Sequence, residues 1–134
     1  MAVMQARILI VDDQDFILAP LAAMFERHGY AVLWTNNGGD GLTLCRASSI
    51  DLLITDYDMP QMTGLELARE CSRIHLDLPV IYISGSQPSQ ELRAELKEPH
   101  RDFLSKPFRP ADLLRKAKEL LGNHAVTPVP QTVS

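Results

Sequence analysis

The chain has 134 residues, of which 46% are apolar and 22% charged, a balance that suits one folded domain with a buried core and excludes collagen, coiled coil and wholesale disorder. A formal net charge of -4 gives no broad basic field for a phosphate backbone, so nucleic-acid binding by the chain itself is not expected. No stretch approaches the about 20 apolar residues of a membrane span, and Met1 to Arg7 is too short for a signal peptide, so the expected setting is the cytoplasm.

The run Ile8-Leu9-Ile10-Val11, ended by Asp12 and Asp13, predicts a short strand buried on both faces. Between Phe16 and Phe25 the apolar positions Ile17, Leu18, Leu21, Met24 and Phe25 recur with helical period, and Gly29 follows as a stop signal. Tyr30 to Thr35 predicts a second strand. Gly41, Leu42, Leu44 and Cys45 predict a short helix between Asn36-Asn37-Gly38 and Ser48. Leu52 to Thr55 is a third strand, ended by Asp56. A loop with Met59-Pro60 and Gly64 leads into a helix carrying Leu65, Leu67, Ala68 and Ile74.

Pro79 precedes a fourth strand, Val80 to Ile83, which ends at Ser84. The segment after Pro88, with Leu92, Ala94 and Leu96, predicts a helix cut short by Pro99, followed by a brief strand at Phe103-Leu104. Pro110 opens a last helix with the stripe Leu113, Leu114, Ala117, Leu120 and Leu121, ended by Gly122-Asn123. Residues 123–134, with Pro128 and Pro130, are expected to form a disordered tail or linker stub. Cys45 and Cys71 lack the paired spacing of a zinc site or a disulfide scaffold and are expected as two small buried apolar side chains in a reducing compartment.

Five repeats of strand then helix imply a parallel sheet with right-handed crossovers and helices on both faces. In such sheets ligands gather beyond the carboxyl ends of the strands, which is where the polar residues of this chain fall. Asp12, Asp13 and Asp56 each follow an apolar strand. If strands one and three are neighbours, three carboxylates share one edge. Two like charges ~4 Å apart at an effective dielectric of ~20 repel by about 4 kcal/mol, so the group must protonate, separate or bind a cation. Hard oxygen ligands suit Mg2+, with Mn2+ as a substitute. Singly, each acid reads as a helix cap or loop residue, Asp13 for instance capping the helix that starts near Gln14, but capping does not explain the three together. Lys106, before Pro107, would emerge at the same edge as Asp56 and pair with a carboxylate or an added phosphate; alone it would pass for a surface lysine. Ser84 can donate its hydroxyl to a phosphate oxygen, though a serine ending a strand is commonly a turn former. His28, His75, His100 and His124 show no metal spacing.

Asp12-Asp13, Asp56 with Met59-Pro60 and Gly64 behind it, Ser84, and Lys106-Pro107-Phe108 together resemble the response-regulator receiver family of two-component signalling across residues 6 to 122. The resemblance implies a flavodoxin-like (βα)5 three-layer sandwich with a parallel five-stranded sheet of order 2-1-3-4-5. It implies magnesium held by Asp13 and Asp56 directly, by Asp12 through water, and by the Asp58 main-chain carbonyl. Asp56 is then the phosphoacceptor, taking a phosphoryl group from a sensor histidine kinase or histidine phosphotransfer protein, with Lys106 and Ser84 offsetting the charge. Such a chain catalyses only its own phosphorylation and dephosphorylation. Ser84 and Phe103 are the implied switch, and the fourth helix, fifth strand and fifth helix the surface read by an unidentified downstream protein or a second copy. Asp58 and Ser86 fall where the family tunes the lifetime of the phosphate.

Gly85 after Ser84, and Lys97-Glu98-Pro99-His100-Arg101 before the fifth strand, depart from the family's usual residues, so a short or irregular fourth helix is expected. Two rivals remain open at this point. A phosphorylation-independent binding module of the same shape would not need the acid, serine and lysine set. A haloacid-dehalogenase-type phosphatase, suggested by Asp56-Tyr57-Asp58, would need a further acidic motif downstream, where only a helix and a tail follow Lys106.

Overall fold

The computed structural model describes residues 5–122, so the tail expected at 123–134, with His124, lies outside the described residues. The elements are β1 (Arg7–Val11), α1 (Asp15–Arg27), β2 (Ala31–Thr35), α2 (Gly38–Ala47), β3 (Leu52–Asp56), α3 (Gly64–Ile74), β4 (Val80–Ser84), α4 (Gln90–Glu95), β5 (Arg101–Ser105) and α5 (Pro110–Gly122). The strands pair in parallel in the order β2-β1-β3-β4-β5, the doubly wound flavodoxin-like arrangement.

Side chains along a strand point alternately to the two faces, and the core divides accordingly. Ile8, Ile10, Ile54, Ile81 and Ile83 face α1 and α5, packing on Leu18, Phe25, Leu113 and Ala117. Leu9, Val11, Leu53, Val80 and Tyr82 face the other way onto Cys45, Leu65, Leu67 and Leu92, contributed by α2, α3 and α4. β3 and β4 are buried at every position because both of their faces are covered. Each fully buried Leu or Ile contributes about 1.5–3 kcal/mol of transfer free energy, so this double core holds the strand ends in fixed register.

α1 ends as expected: Gly29 adopts φ +92, a left-handed conformation that glycine enters without a Cβ penalty. α4 is a single short stretch of six residues capped by Ser89, in line with the irregular helix expected there. β5 extends to Arg101 and Asp102, two residues earlier than the apolar pair Phe103-Leu104 suggested. The reason is its place at the sheet edge, where charged side chains are tolerated: Arg101 Nε donates to Glu95 Oε2 at 2.6 Å, and Lys116 Nζ donates to Asp102 Oδ1 at 3.1 Å.

The cysteine reading is overturned. Cys45 of α2 and Cys71 of α3 are paired as a disulfide, with their Cα atoms 5.9 Å apart. The two helices pack side by side on one face of the sheet, which brings together positions 26 residues apart in sequence; spacing along the chain cannot reveal such a pairing. Both residues are buried, as the sequence suggested.

Candidate functional site

Register decides which strand ends meet. Val11 lies opposite Thr35 on β2 and Thr55 on β3, so the next residues, Asp12 and Asp56, leave the sheet side by side. Asp12 continues the edge through its backbone N–H, which donates to the Thr35 carbonyl at 3.2 Å. The Asp56 backbone lies opposite Ile83, and Ser84 follows on β4. Lys106 is tied to the same rim because its backbone N–H donates to the Ser84 carbonyl at 2.8 Å. The residues marked out at the ends of β1, β3, β4 and β5 thus gather at one edge.

One carboxylate oxygen from each of Asp12, Asp13 and Asp56 falls within a group whose members all lie within 4.8 Å of one another. Asp12 and Asp56 are buried, 1% and 5% exposed, and Asp13 is open to solvent. Asp13 does not cap α1: the N-cap is Gln14, which makes no side-chain cap hydrogen bond, and the Gln14 backbone N–H donates instead to Asp12 Oδ1 at 2.8 Å. That bond orients Asp12 so that its other oxygen points into the cluster.

Lys106 Nζ supplies the positive charge, 3.1 Å from Asp12 Oδ2 and 3.6 Å from Asp56 Oδ2. It also donates to Gln14 Oε1 at 2.8 Å, a partner that the sequence reading did not single out although Gln14 directly follows the acidic pair. One lysine does not neutralise three carboxylates. The Asp56 carboxyl is pushed from 3.8 up to about 7, first by burial, then by a side-chain hydrogen bond with Asp13 and the charge of Asp12, while Lys106 pulls it down.

A hard divalent cation fits this donor set. The oxygens are carboxylates gathered from three side chains, and Asp12 Oδ2 is buried without a hydrogen bond of good geometry, so it has lone pairs to spare for an ion or its water shell.

Ser84 is 2% exposed, yet its hydroxyl reaches the loop after β3, donating to Asp58 Oδ2 at 2.9 Å. The Ser86 backbone N–H donates to Ser84 Oγ at 3.1 Å. Phe103 is half-buried on β5, directly opposite Tyr82, and packs into the cluster shared with Leu92 and Leu96. Of the histidines, His28 Nδ1 lies 2.9 Å from the Met24 carbonyl and His75 Nε2 lies 2.7 Å from the Cys45 carbonyl, so both are engaged by backbone away from the acidic rim.

The loop between β3 and α3 is held close by Gly64. A Cβ at that position would collide with the Asp56 carbonyl oxygen, and the Gly64 N–H donates to the Tyr57 carbonyl at 2.9 Å. Thr63 then starts α3 with a reciprocal capping box with Glu66. The peptide bond between Lys106 and Pro107 is cis. Beside Lys106, Phe16, Ile17 and Pro20 of α1 and Pro107 and Phe108 after β5 line an open apolar groove of about 520 Å³. Phe16 is 74% exposed, and it falls outside the helical stripe that the sequence assigned to the core.

A family model described as response regulator receiver domain matches residues 8–118. The chain is 32% identical over 114 residues to the response regulator SaeR of Staphylococcus aureus, covering 85% of this chain and 50% of that protein. The chain therefore spans about half the length of the curated relatives it matches. Among solved structures, a CheY-like receiver domain protein from Methanospirillum hungatei is 31% identical with a TM-score of 0.81, over 89% of this chain and 95% of that one. The Vibrio cholerae chemotaxis protein CheY4 is 27% identical with a TM-score of 0.78, over 87% of this chain and 99% of that one.

Proposed function

The chain belongs to the response regulator receiver domain family, a signalling module, and from that premise we propose that Asp56 is the phosphoacceptor of a two-component phosphorelay. The observation that carries the reading is the convergence of Asp12, Asp13, Asp56 and the Lys106 ammonium on one rim, with the Ser84 hydroxyl at the neighbouring strand end. Mg2+, or Mn2+ in its place, would be held by Asp13 and Asp56, by Asp12 through water, and by the Asp58 main-chain carbonyl. When bound, the ion offsets charge on the transferred group.

Asp56 attacks as its carboxylate. Its oxygen forms a bond to phosphorus while the bond from phosphorus to the imidazole nitrogen of a phosphohistidine breaks, and the electron pair of that bond stays with the departing imidazole. Lys106 is already 3.6 Å from Asp56 Oδ2 and can follow the developing charge onto the phosphoryl oxygens, with the Ser84 hydroxyl as a further donor. Nothing in this scheme requires turnover of a separate substrate; the chain acts on itself.

The donor is a histidine kinase or histidine phosphotransfer protein. The apolar groove with exposed Phe16 at the mouth of the pocket supports a protein donor, since a small phosphodonor has no use for such a surface. The chain works in the cytoplasm, although the Cys45–Cys71 disulfide is uncommon there. Phosphorylation shifts Ser84 and Phe103 and with them the face formed by α4, β5 and α5, which a downstream protein or a second copy reads; Asp58 and Ser86 set how long the phosphate lasts.

The test is labelling with acetyl phosphate in the presence of Mg2+. Wild type should gain one alkali-labile phosphate, whereas Asp56→Ala or added chelator should abolish it. Unchanged labelling of Asp56→Ala would refute the assignment. Stable folding with no labelling from any donor would favour the phosphorylation-independent module.

A further inference from the structure

The contact between Ser84 and Asp58 joins two residues that the proposed mechanism uses separately. A serine hydroxyl has one proton, so it can donate to one acceptor at a time. Here that proton is committed to Asp58 Oδ2 at 2.9 Å, and the oxygen receives the Ser86 N–H at 3.1 Å. The rotamer of Ser84 is thereby held from both sides. Ser84 itself is buried at the end of β4, whereas Asp58 sits exposed in the loop two residues beyond the phosphoacceptor, so the acid reaches inward to make the bond.

Resting on the phosphoacceptor reading above, we propose that the Asp58 carboxylate is a latch on Ser84: it occupies the hydroxyl before the reaction and surrenders it to the phosphoryl group afterwards. The two acceptors compete for one donor. A phosphoryl group on Asp56 carries about two negative charges and three acceptor oxygens. It outbids a single carboxylate for the hydroxyl and repels Asp58 from the rim. Release of Asp58 also frees the loop that begins at Tyr57, whose N–H donates to the Ile83 carbonyl at 2.8 Å beside Ser84. Asp58 is a positioning residue in this scheme, acting through Ser84 and setting the threshold for occupancy of the pocket.

A double-mutant cycle separates the latch from simple charge removal. The probe is beryllofluoride with Mg2+, followed by NMR titration of the full chain. Asp58→Ala should bind it at least about tenfold more tightly than wild type, the scale expected for one hydrogen bond to a charged group lost from the competing state, and Asp58→Asn should fall between them. In a Ser84→Ala background the same Asp58→Ala change should alter affinity less than about twofold. An equal gain in both backgrounds would assign the effect to charge alone and overturn the latch, as would no gain in either. A second readout needs neither metal nor phosphate: scalar couplings of Ser84 in chelator should report one χ1 rotamer in wild type and averaging in Asp58→Ala. Averaging already present in wild type overturns the proposal even if Asp56 is phosphorylated normally. A wild type that never binds beryllofluoride would instead strike at the phosphoacceptor reading itself.

Discussion

As the proposed phosphoacceptor, Asp56 would have to meet two requirements that pull against each other: burial enough to be shielded from water and charge enough to attack. Its carboxyl, raised to about 7 by burial and by the neighbouring acids, holds a proton in the folded chain that the unfolded chain releases near 3.8. The sign follows from linkage. Between these two values the folded state binds more protons, so this residue's contribution to stability is greatest below about pH 4 and is lost as pH rises through about 7. A cation needs the ionised form. The rise in Tm on adding Mg2+ is therefore expected to be larger at about pH 8 than at about pH 6, measured by thermal denaturation against a chelator control. An equal rise at both pH values would contradict the assignment of Asp56 as a ligand. At this scale the sequence was informative about identity and silent about contacts. Asp12, Asp13, Asp56, Ser84 and Lys106 could be chosen because each lies at or just beyond the end of a strand, but Gln14 and the Asp58 carboxylate reach their partners through loop geometry that no local pattern encodes.

The elements owe their placement to short apolar runs ended by polar residues, and the runs for β1, β3 and β4 were plain in the sequence because both faces of those strands are buried. β5 was harder. Arg101 and Asp102 are charged, and their place in the strand depends on partners in other elements: Glu95, which also accepts from the Tyr82 hydroxyl at 2.9 Å, and Lys116. The buried Tyr82 hydroxyl is held protonated by desolvation and by the charge of Glu95, so this network fastens α4 to the sheet without a second buried charge on Tyr82. The link between β3 and α3 is tighter still. Gly64→Ala places a methyl group against the Asp56 carbonyl and the Tyr57 Cα, where the backbone must give way. The variant is expected to lose about 1–3 kcal/mol in denaturant unfolding and to bind Mg2+ more weakly, because the atoms displaced belong to Asp56 and its neighbour Tyr57. A loss below about 0.5 kcal/mol would mean that the loop has room to spare.

Across the whole molecule, strands one and three had to be neighbours for the acids to meet, and periodicity alone left that adjacency open. The strand order came from resemblance, and the sheet bears it out. The disulfide between α2 and α3 was missed for the same physical reason, since only packing of the two helices on one face brings Cys45 and Cys71 together. With both faces of the sheet covered, the rim at the carboxyl ends of the strands is where the polar side chains gather, and the apolar groove between α1 and the segment after β5 adjoins it at Lys106.

The central claim is that a phosphoryl group lands on Asp56 and on no other acid of the rim. The most direct measurement is phosphotransfer from a phosphohistidine donor in Mg2+, followed by borohydride reduction of the acyl phosphate and peptide mass spectrometry. The expected result is homoserine at position 56, with Asp12, Asp13 and Asp58 intact. Homoserine at any of those three positions, or none anywhere in a fully labelled sample, would contradict it.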